Sequence, residues 1–156
     1  MSERNYEFRR RLAVVHKPDR RDLSARPTSN EILIEDGWSI VIPQDASEVI
    51  VTVAKDLQDY LFTSMNVSVL LHRVKDVASM ARTGERAIVL ATKQELPELG
   101  GGLSVPRSYR LLCSPGRVVV CGNEDRGTGQ GSYYLEDLMN LREAPILAQQ
   151  DVTREP

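Results

Sequence analysis

The residues whose type and spacing first suggest chemistry are three glycines, Gly127, Gly129 and Gly131, which separate an apolar run from a helical pattern. A glycine-rich turn between a strand and a helix can hold a phosphate on its backbone amides. The spacing fits neither a Walker loop, which needs Lys-Ser or Lys-Thr after its last glycine, nor the dinucleotide pattern Gly-x-Gly-x-x-Gly. The glycines are therefore weak ligand candidates, and the alternative is that they let a helix approach a sheet closely.

Adjacent carboxylates occur at Glu35-Asp36, Glu124-Asp125 and Glu136-Asp137. Glycosidases use two carboxyl groups roughly 5 to 9 Å apart on opposite sides of the scissile bond. Neighbouring side chains on a helix diverge by about 100° and do not flank a bond in this way. A turn explains the first pair and a helix start the second, so we predict no catalytic residue in this chain.

The two histidines and two cysteines do not indicate a catalytic or metal site either. His16 lies in a basic N-terminal segment and His72 at a strand end, and no serine has a nucleophile-elbow context. Cys113 and Cys121 have no histidine at ligand spacing and are expected to be small apolar strand residues. We therefore expect no cofactor and no metal.

Charge and hydropathy limit the partners. Lysine and arginine number 20 against 22 aspartates and glutamates, a net charge of −2, which predicts neither a nucleic-acid nor an anionic-membrane partner. The apolar runs are far shorter than the roughly 18 residues that span a bilayer, and the N-terminus opens with alternating charges. The expected location is the cytoplasm.

Residues 1–30 form a basic arm that is broken by prolines, with a possible edge strand at 12–16. Such an arm is either solvated or binds an acidic partner.

From residue 31 the pattern is more regular. Two β-branched runs flank Asp36-Gly37, a dipeptide typical of a two-residue turn, and predict a first hairpin.

A helix is predicted next, because Asp45 and Glu48 have the spacing of a capping box. Its end is expected near Asn66. One apolar stripe runs along it at three- and four-residue intervals: Val49, Ile50, Val53, Ala54, Leu57, Tyr60, Leu61 and Ser64.

Strands are expected at 67–72 and 86–91, and the stretch 94–103 is predicted as a loop with one short helical turn. A second hairpin is predicted around Pro115-Gly116. A two-residue turn there pairs position 113 with 118 and 110 with 121, which places the two cysteines on opposite faces and excludes a disulfide between them.

A second amphipathic helix follows, with an apolar stripe formed by Gly131, Tyr134, Leu135, Leu138 and Leu141. The predicted fold class is α+β: a mostly antiparallel sheet with two helices packed on one face, in the order hairpin, helix, strand, strand, hairpin, helix.

Several strands are apolar at every position, as at 40–42, 88–90 and 118–120. The second sheet face should then also be covered, by the arm or by a partner outside this chain.

The segment 108–138 resembles the end of the N-terminal accessory domain of family 20 glycoside hydrolases and other β-N-acetylhexosaminidase-like enzymes. It departs from their pattern at Gly131-Ser132-Tyr133, where aromatic-Tyr-Gly is usual. The residues that match are Tyr109 and Leu111 in the strand, Asp125 and Gly127 after the second hairpin, and Tyr133 or Tyr134 with Leu138 and Leu141 in the helix.

The resemblance covers residues 31–147 and implies a non-catalytic α+β accessory domain. It implies that residues 148–156 form a linker to a catalytic barrel absent from this chain, and that this barrel is the domain's partner. No catalytic residue carries over, because the family's catalytic residues lie in the barrel. The alternative is a free-standing binding or scaffold module that uses the sheet face or the glycine-rich turn. In isolation, exposed sheet edges favour a homodimer.

Overall fold

The computed structural model describes residues 16–156, which form one layered α/β structure. The strands are β1 (Glu31–Leu33), β2 (Ser39–Pro43), β3 (Leu70–Val74), β4 (Ala87–Thr92), β5 (Tyr109–Ser114), β6 (Arg117–Gly122), β7 (Ile146–Ala148) and β8 (Gln150–Arg154). The helices are α1 (Glu48–Met65), α2 (Val77–Thr83), α3 (Pro97–Gly100) and α4 (Asp125–Arg142). No helix in this described part is long and apolar enough to cross a membrane.

The main sheet is mixed, and the prediction of a mostly antiparallel sheet is wrong. Its six strands lie in the order β3-β2-β4-β6-β5-β8. The pairs β2–β3, β2–β4 and β4–β6 are parallel, whereas β5 is antiparallel to both β6 and β8. Parallel neighbours need crossover connections, and α1 and α2 lie in two of them. The broader α+β class is confirmed.

The first predicted hairpin does not form, because β1 pairs with β7 and not with β2. The chain does turn at Gly37, which has a φ of 89°, but Ile34 donates its amide to the carbonyl of Pro145 at the far end of the chain. The second hairpin is confirmed. Cys113 pairs with Val118 and Arg110 with Cys121, in the register that the turn length predicts.

Helix α1 forms where its apolar stripe predicts it, but the predicted capping box of Asp45 and Glu48 is wrong, because Glu48 is the first residue of the helix. Ser47 is its N-cap, and the Ser47 hydroxyl accepts a hydrogen bond from the amide of Ile50 at 3.3 Å. Asn66 ends the helix in the left-handed conformation, with a φ of 57°. The predicted stripe is buried except for Val49, which is 44% exposed. Helices α1 and α4 contact each other and pack on the same sheet face, where they enclose the larger core.

Within the described residues, the opposite sheet face is covered by segments of the chain that follow β3 and β4. Helix α2, with Val77 and Ala81, packs against β2 and β4 on this face, and α3 packs against β5 and β6, flanked by the buried side chains of Leu96 and Leu103. The segment that contains α2 is polar, and its sequence does not predict a helix or a strand. It covers the sheet because its two buried side chains lie one helical turn apart on one face.

The chain ends also differ from the expectations. The possible edge strand at 12–16 lies outside the described residues except for His16. The described part of the arm is docked: the amides of Asp19 and Arg20 donate to the carbonyls of Thr63 and Ser64 at the end of α1. Most of the predicted linker at 148–156 is strand β8, which forms one edge of the sheet beside β5.

Candidate functional site

The three glycines of the sequence motif lie inside α4, not in a turn before it. A side chain at Gly127 would collide with the carbonyl of Ser108, and one at Gly131 with Val120 and Tyr109. The first two turns of α4 therefore lie directly against β5 and β6. This geometry supports the packing interpretation for Gly127 and Gly131, whereas Gly129 faces Val53 of α1 and lines an open depression beside α4.

The N-terminal end of α4 borders an open groove of about 810 Å³ at the carboxyl ends of β4 and β6. An adjoining depression of about 580 Å³ shares Val49 and Arg126 with it. The chain leaves β2 toward β3 on one side and leaves β4 toward β5 and β6 on the other. Open α/β sheets bind ligands at such a change of direction, which here lies between β2 and β4, one strand away from the β4–β6 position of the groove.

The groove has a mixed polar lining. The ammonium group of Lys93 donates a hydrogen bond to the carbonyl of Leu103 at 3.0 Å, and the Arg126 side chain is exposed. Glu124 and Asp125 at the start of α4 add two carboxylates, so the charges of the rim offset one another. The amide oxygen of Asn123 is buried here without a hydrogen-bond partner. The groove offers polar contacts for a ligand, and the hydroxyl of Thr92 in its lining donates a hydrogen bond to the carboxylate of Glu95 at 3.1 Å.

A second cluster lies between α1 and α4, around His16. Its Nδ1 is 2.8 Å from Asp59 Oδ2 on α1, and its Nε2 is 3.1 Å from Glu136 Oε1 on α4. The imidazole lies edge-on to the ring of Tyr60, with the ring centroids 5.3 Å apart. The side chains of His16 and Glu136 are 5% and 8% exposed, so both are almost fully withdrawn from water.

Glu136 is the residue of this cluster with the most unusual electrostatics. Burial, together with the nearby carboxylates of Asp56, Asp137 and Asp59, raises its pKa to about 8. Its second oxygen, Oε2, is buried without a hydrogen-bond partner. A raised carboxyl pKa is often seen at functional sites, but here the imidazole fills the space beside the carboxyl group.

Sequence reasoning missed this cluster because its members are distant in the chain. The sequence pairs Glu136 only with its neighbour Asp137, and it places His16, a possible base, in the N-terminal arm far from any carboxylate of α4. One signal was available: Glu136 follows Ser132 by four residues and Leu135 by one, and all three lie on the buried side of α4. A glutamate within a buried helix face indicates a paired or protonated side chain.

The remaining candidates are structural. Glu35 forms an ion pair with Arg86 at 3.7 Å, and Asp36 accepts the amide of Ser68 at 2.8 Å. The cysteines are buried in the cores on opposite sheet faces, as predicted. Their thiols are free, and burial raises the pKa of each to about 12.

Comparison with known proteins adds a likeness of fold. No protein-family model and no curated protein matches the sequence. Among solved structures, a family 115 4-O-methyl-α-glucuronidase with specificity for decorated arabinogalactans is similar over 81% of this chain, with a TM-score of 0.58 and 14% identity. CpGH84D is similar over 90%, with a TM-score of 0.57 and 8% identity. A β-N-acetylhexosaminidase from Bacteroides fragilis is similar over 81%, with a TM-score of 0.51 and 12% identity.

These matches define the class of fold. The chain spans only 18%, 24% and 22% of the three proteins, respectively. The layered structure of residues 16–156 is therefore similar to a minor part of larger proteins, two of which are described as a glucuronidase and a hexosaminidase.

Proposed function

We propose that this chain is a non-catalytic domain of a glycoside hydrolase, and more specifically of a hexosaminidase-like enzyme, in which it supports a catalytic barrel elsewhere in the same polypeptide. The observation that carries this proposal is the asymmetry of the fold matches. They cover 81 to 90% of this chain but 18 to 24% of the larger proteins. A domain of this size is too small to be a barrel of about 250 residues.

The described residues support a non-catalytic role. Two carboxyl groups, those of Asp59 and Glu136, face each other across a small gap, but the His16 imidazole bridges them. A glycosidic bond has no access between them. The groove beside α4 places Glu124 and Asp125 next to each other on one rim, an arrangement that does not flank a substrate from two sides.

The surface that would contact the barrel differs from the one that the sequence suggests. Both sheet faces are buried within the chain, so a barrel would dock on helices and sheet edges. Large apolar side chains are exposed there on the arm, on α1, on β3 and on α4: Leu23, Phe62, Leu70 and Leu141. The same side chains, with the free edge of β3, would drive self-association of an isolated domain.

The test compares residues 1–156 with the whole product of the gene on aryl β-N-acetylhexosaminides and aryl α-glucuronides. We expect hydrolysis only by a longer product that includes a barrel, and a lower melting temperature for that product when residues 1–156 are deleted. Hydrolysis by residues 1–156 that the Glu136→Gln substitution abolishes would refute the non-catalytic role.

A free-standing binding module is the second candidate, and the unpaired Asn123 oxygen in the groove favours it. Of the two surfaces first considered for it, the sheet face is buried, and the glycine segment contributes only Gly129 to the depression that adjoins the groove. The groove is therefore the surface to test, by titration of mono- and oligosaccharides into residues 1–156. Saturable binding that Asn123→Ala removes, in a protein whose gene ends at Pro156, would favour this candidate over the first.

A further inference from the structure

The depression that adjoins the groove lies between the N-terminal halves of α1 and α4. Its volume is about 580 Å³, and Val49 and Arg126 line both the depression and the groove. About two helical turns further along, the hydroxyl of Tyr133 on α4 donates to Asp56 on α1 at 2.6 Å. The depression is therefore continuous with the groove on one side and bounded by a bridge between the two helices on the other.

Two arginines from different elements line this depression. Arg107 precedes β5, and Arg126 lies in the first turn of α4. Both residues are exposed, and neither guanidinium has a hydrogen bond or an ion pair with another residue of 16–156. Glu48 is the one carboxylate among the lining residues, so the depression carries a local excess of positive charge although the chain has a net charge of −2. The planar donors of a guanidinium match the two oxygens of a carboxylate.

The backbone at Arg107 is unusual for an arginine. Its φ is 68°, in the left-handed region that glycine adopts at less cost. The next residue, Ser108, is fully buried, and its carbonyl accepts the amide of Asn123 at 2.9 Å, so the segment is firmly held. A residue with a side chain in this conformation at the rim of a cleft favours a role for that side chain.

Tyr133 contributes an aromatic ring of fixed orientation. Its hydroxyl is held by Asp56, and the residue is still 40% exposed. Gly129, one helical turn earlier on α4, has no side chain to fill the space beside the ring. An accessible ring of this kind provides a flat surface on which the C–H face of a sugar ring can stack, and the exposed Gln130 adds an amide that can bind hydroxyl groups.

We propose that the depression is a binding subsite for a saccharide that carries a carboxylate, a hexuronate residue: Arg107 and Arg126 bind the carboxylate, Tyr133 stacks on the sugar ring, and the groove holds the neighbouring sugar residue. This inference rests on the binding role proposed above for the groove. An apolar small molecule fits less well, because the depression is open and its rim is charged. An extended peptide fits less well, because the depression lies between helices and offers no strand edge to pair with.

The experiment titrates trimers of galacturonic, glucuronic and mannuronic acid into residues 1–156 and follows the heat of binding. The fully methyl-esterified trimers are the matched probes, because they keep the sugar rings and lose the charge. We expect at least one acid trimer to bind about tenfold more tightly than its ester, since hydrogen bonds between guanidinium and carboxylate are charge-assisted. The preference should shrink as the salt concentration is raised, because the site is open to solvent.

Substitutions in the depression assign the contacts. Arg107→Lys and Arg126→Lys keep the charge but lose the planar donors, so each should weaken binding of the acid trimer about tenfold and leave the ester unaffected. Tyr133→Ala should weaken acid and ester alike. Arg73→Lys, on exposed β3, is the matched control and should bind as wild type does. Arg107→Gly should lose the same preference without a lower melting temperature, because glycine accepts the left-handed backbone; a structural role for Arg107 predicts the reverse.

The possible outcomes separate this inference from the proposed function. Equal affinity for acid and ester trimers would overturn the carboxylate subsite and leave saccharide binding in the groove standing. Failure of all trimers to bind would overturn both the subsite and the binding role, but not the role as a non-catalytic domain. Tri-glutamate that binds as tightly as the best acid trimer would overturn the saccharide as the ligand class and indicate a surface for acidic peptides.

Discussion

The hydroxyl of Thr128 donates to the carbonyl of Ala91 at 2.6 Å and accepts the amide of Gly122 at 3.1 Å. One fully buried side chain on α4 thus joins the ends of β4 and β6. Because these strand ends form the floor of the groove, Thr128 fixes the position of the groove rim relative to the sheet.

Replacement of Thr128 by valine should lower the free energy of unfolding by about 1 to 3 kcal/mol, since the shape is kept but a buried amide and carbonyl lose their partner. Guanidinium chloride denaturation measures the change. Thr83→Val makes the same chemical change on the exposed part of α2, where the hydroxyl contacts only the carbonyl of Ser79, and should be near neutral. Equal losses in the two variants would contradict a structural role for Thr128.

Gly131→Ala should also destabilise the protein, by roughly 1 to 3 kcal/mol, although alanine has a higher helix propensity than glycine. The added methyl group would overlap Val120 and Tyr109, and α4 would have to move away from the sheet. Gly102→Ala is the matched control, because nothing lies within 4 Å of a side chain at that position. If Gly131→Ala is as stable as the control, close packing does not explain the glycines and a ligand role regains weight.

Glu136→Gln should remove part of the pH dependence of folding. The pKa of Glu136 is raised to about 8, so wild type loses stability as the pH rises from about 4.5 to about 8. We expect the glutamine variant to be more stable than wild type at about pH 8.5 by roughly 2 kcal/mol, and the difference to shrink toward pH 5.

Denaturation curves of wild type and variant at both pH values measure that difference. Glu98→Gln, on the exposed surface of α3, controls for the removal of one carboxylate. A variant that is less stable than wild type at alkaline pH would show that the ionised form of Glu136 is the stabilising one, contrary to the burial argument.

Local signals in the sequence gave correct elements where the interaction itself is local. The position of helix α1 needs only its own apolar stripe, although its N-cap is Ser47 and not the predicted Asp45, and the β5–β6 register needs only the turn at Pro115-Gly116. The β1–β2 hairpin failed because the pairing of β1 with β7 depends on residues more than a hundred positions away. Parallel pairing and the polar edge strand β8 leave no comparable local pattern.

The candidate site was less predictable than the fold for the same reason. The stripe predicted for α4 includes Leu141 because of its three-residue spacing from Leu138, but Leu141 is 83% exposed. The buried face instead includes Thr128, Ser132 and Glu136. Polar side chains on a buried face have partners from other elements, and the His16 contact spans 120 positions in the chain.

The two cysteines provide the last prediction. Burial raises the pKa of both thiols to about 12, so almost none of either is thiolate at pH 8, and neither is accessible to a reagent. We expect a thiol-specific chromogenic disulfide to label the native protein at least about a hundredfold more slowly than the protein in guanidinium chloride, where both cysteines should react. Cys113→Ala and Cys121→Ala assign any native labelling to one sheet face. Fast labelling that only Cys121→Ala abolishes would show that the face covered by α2 and α3 opens in solution.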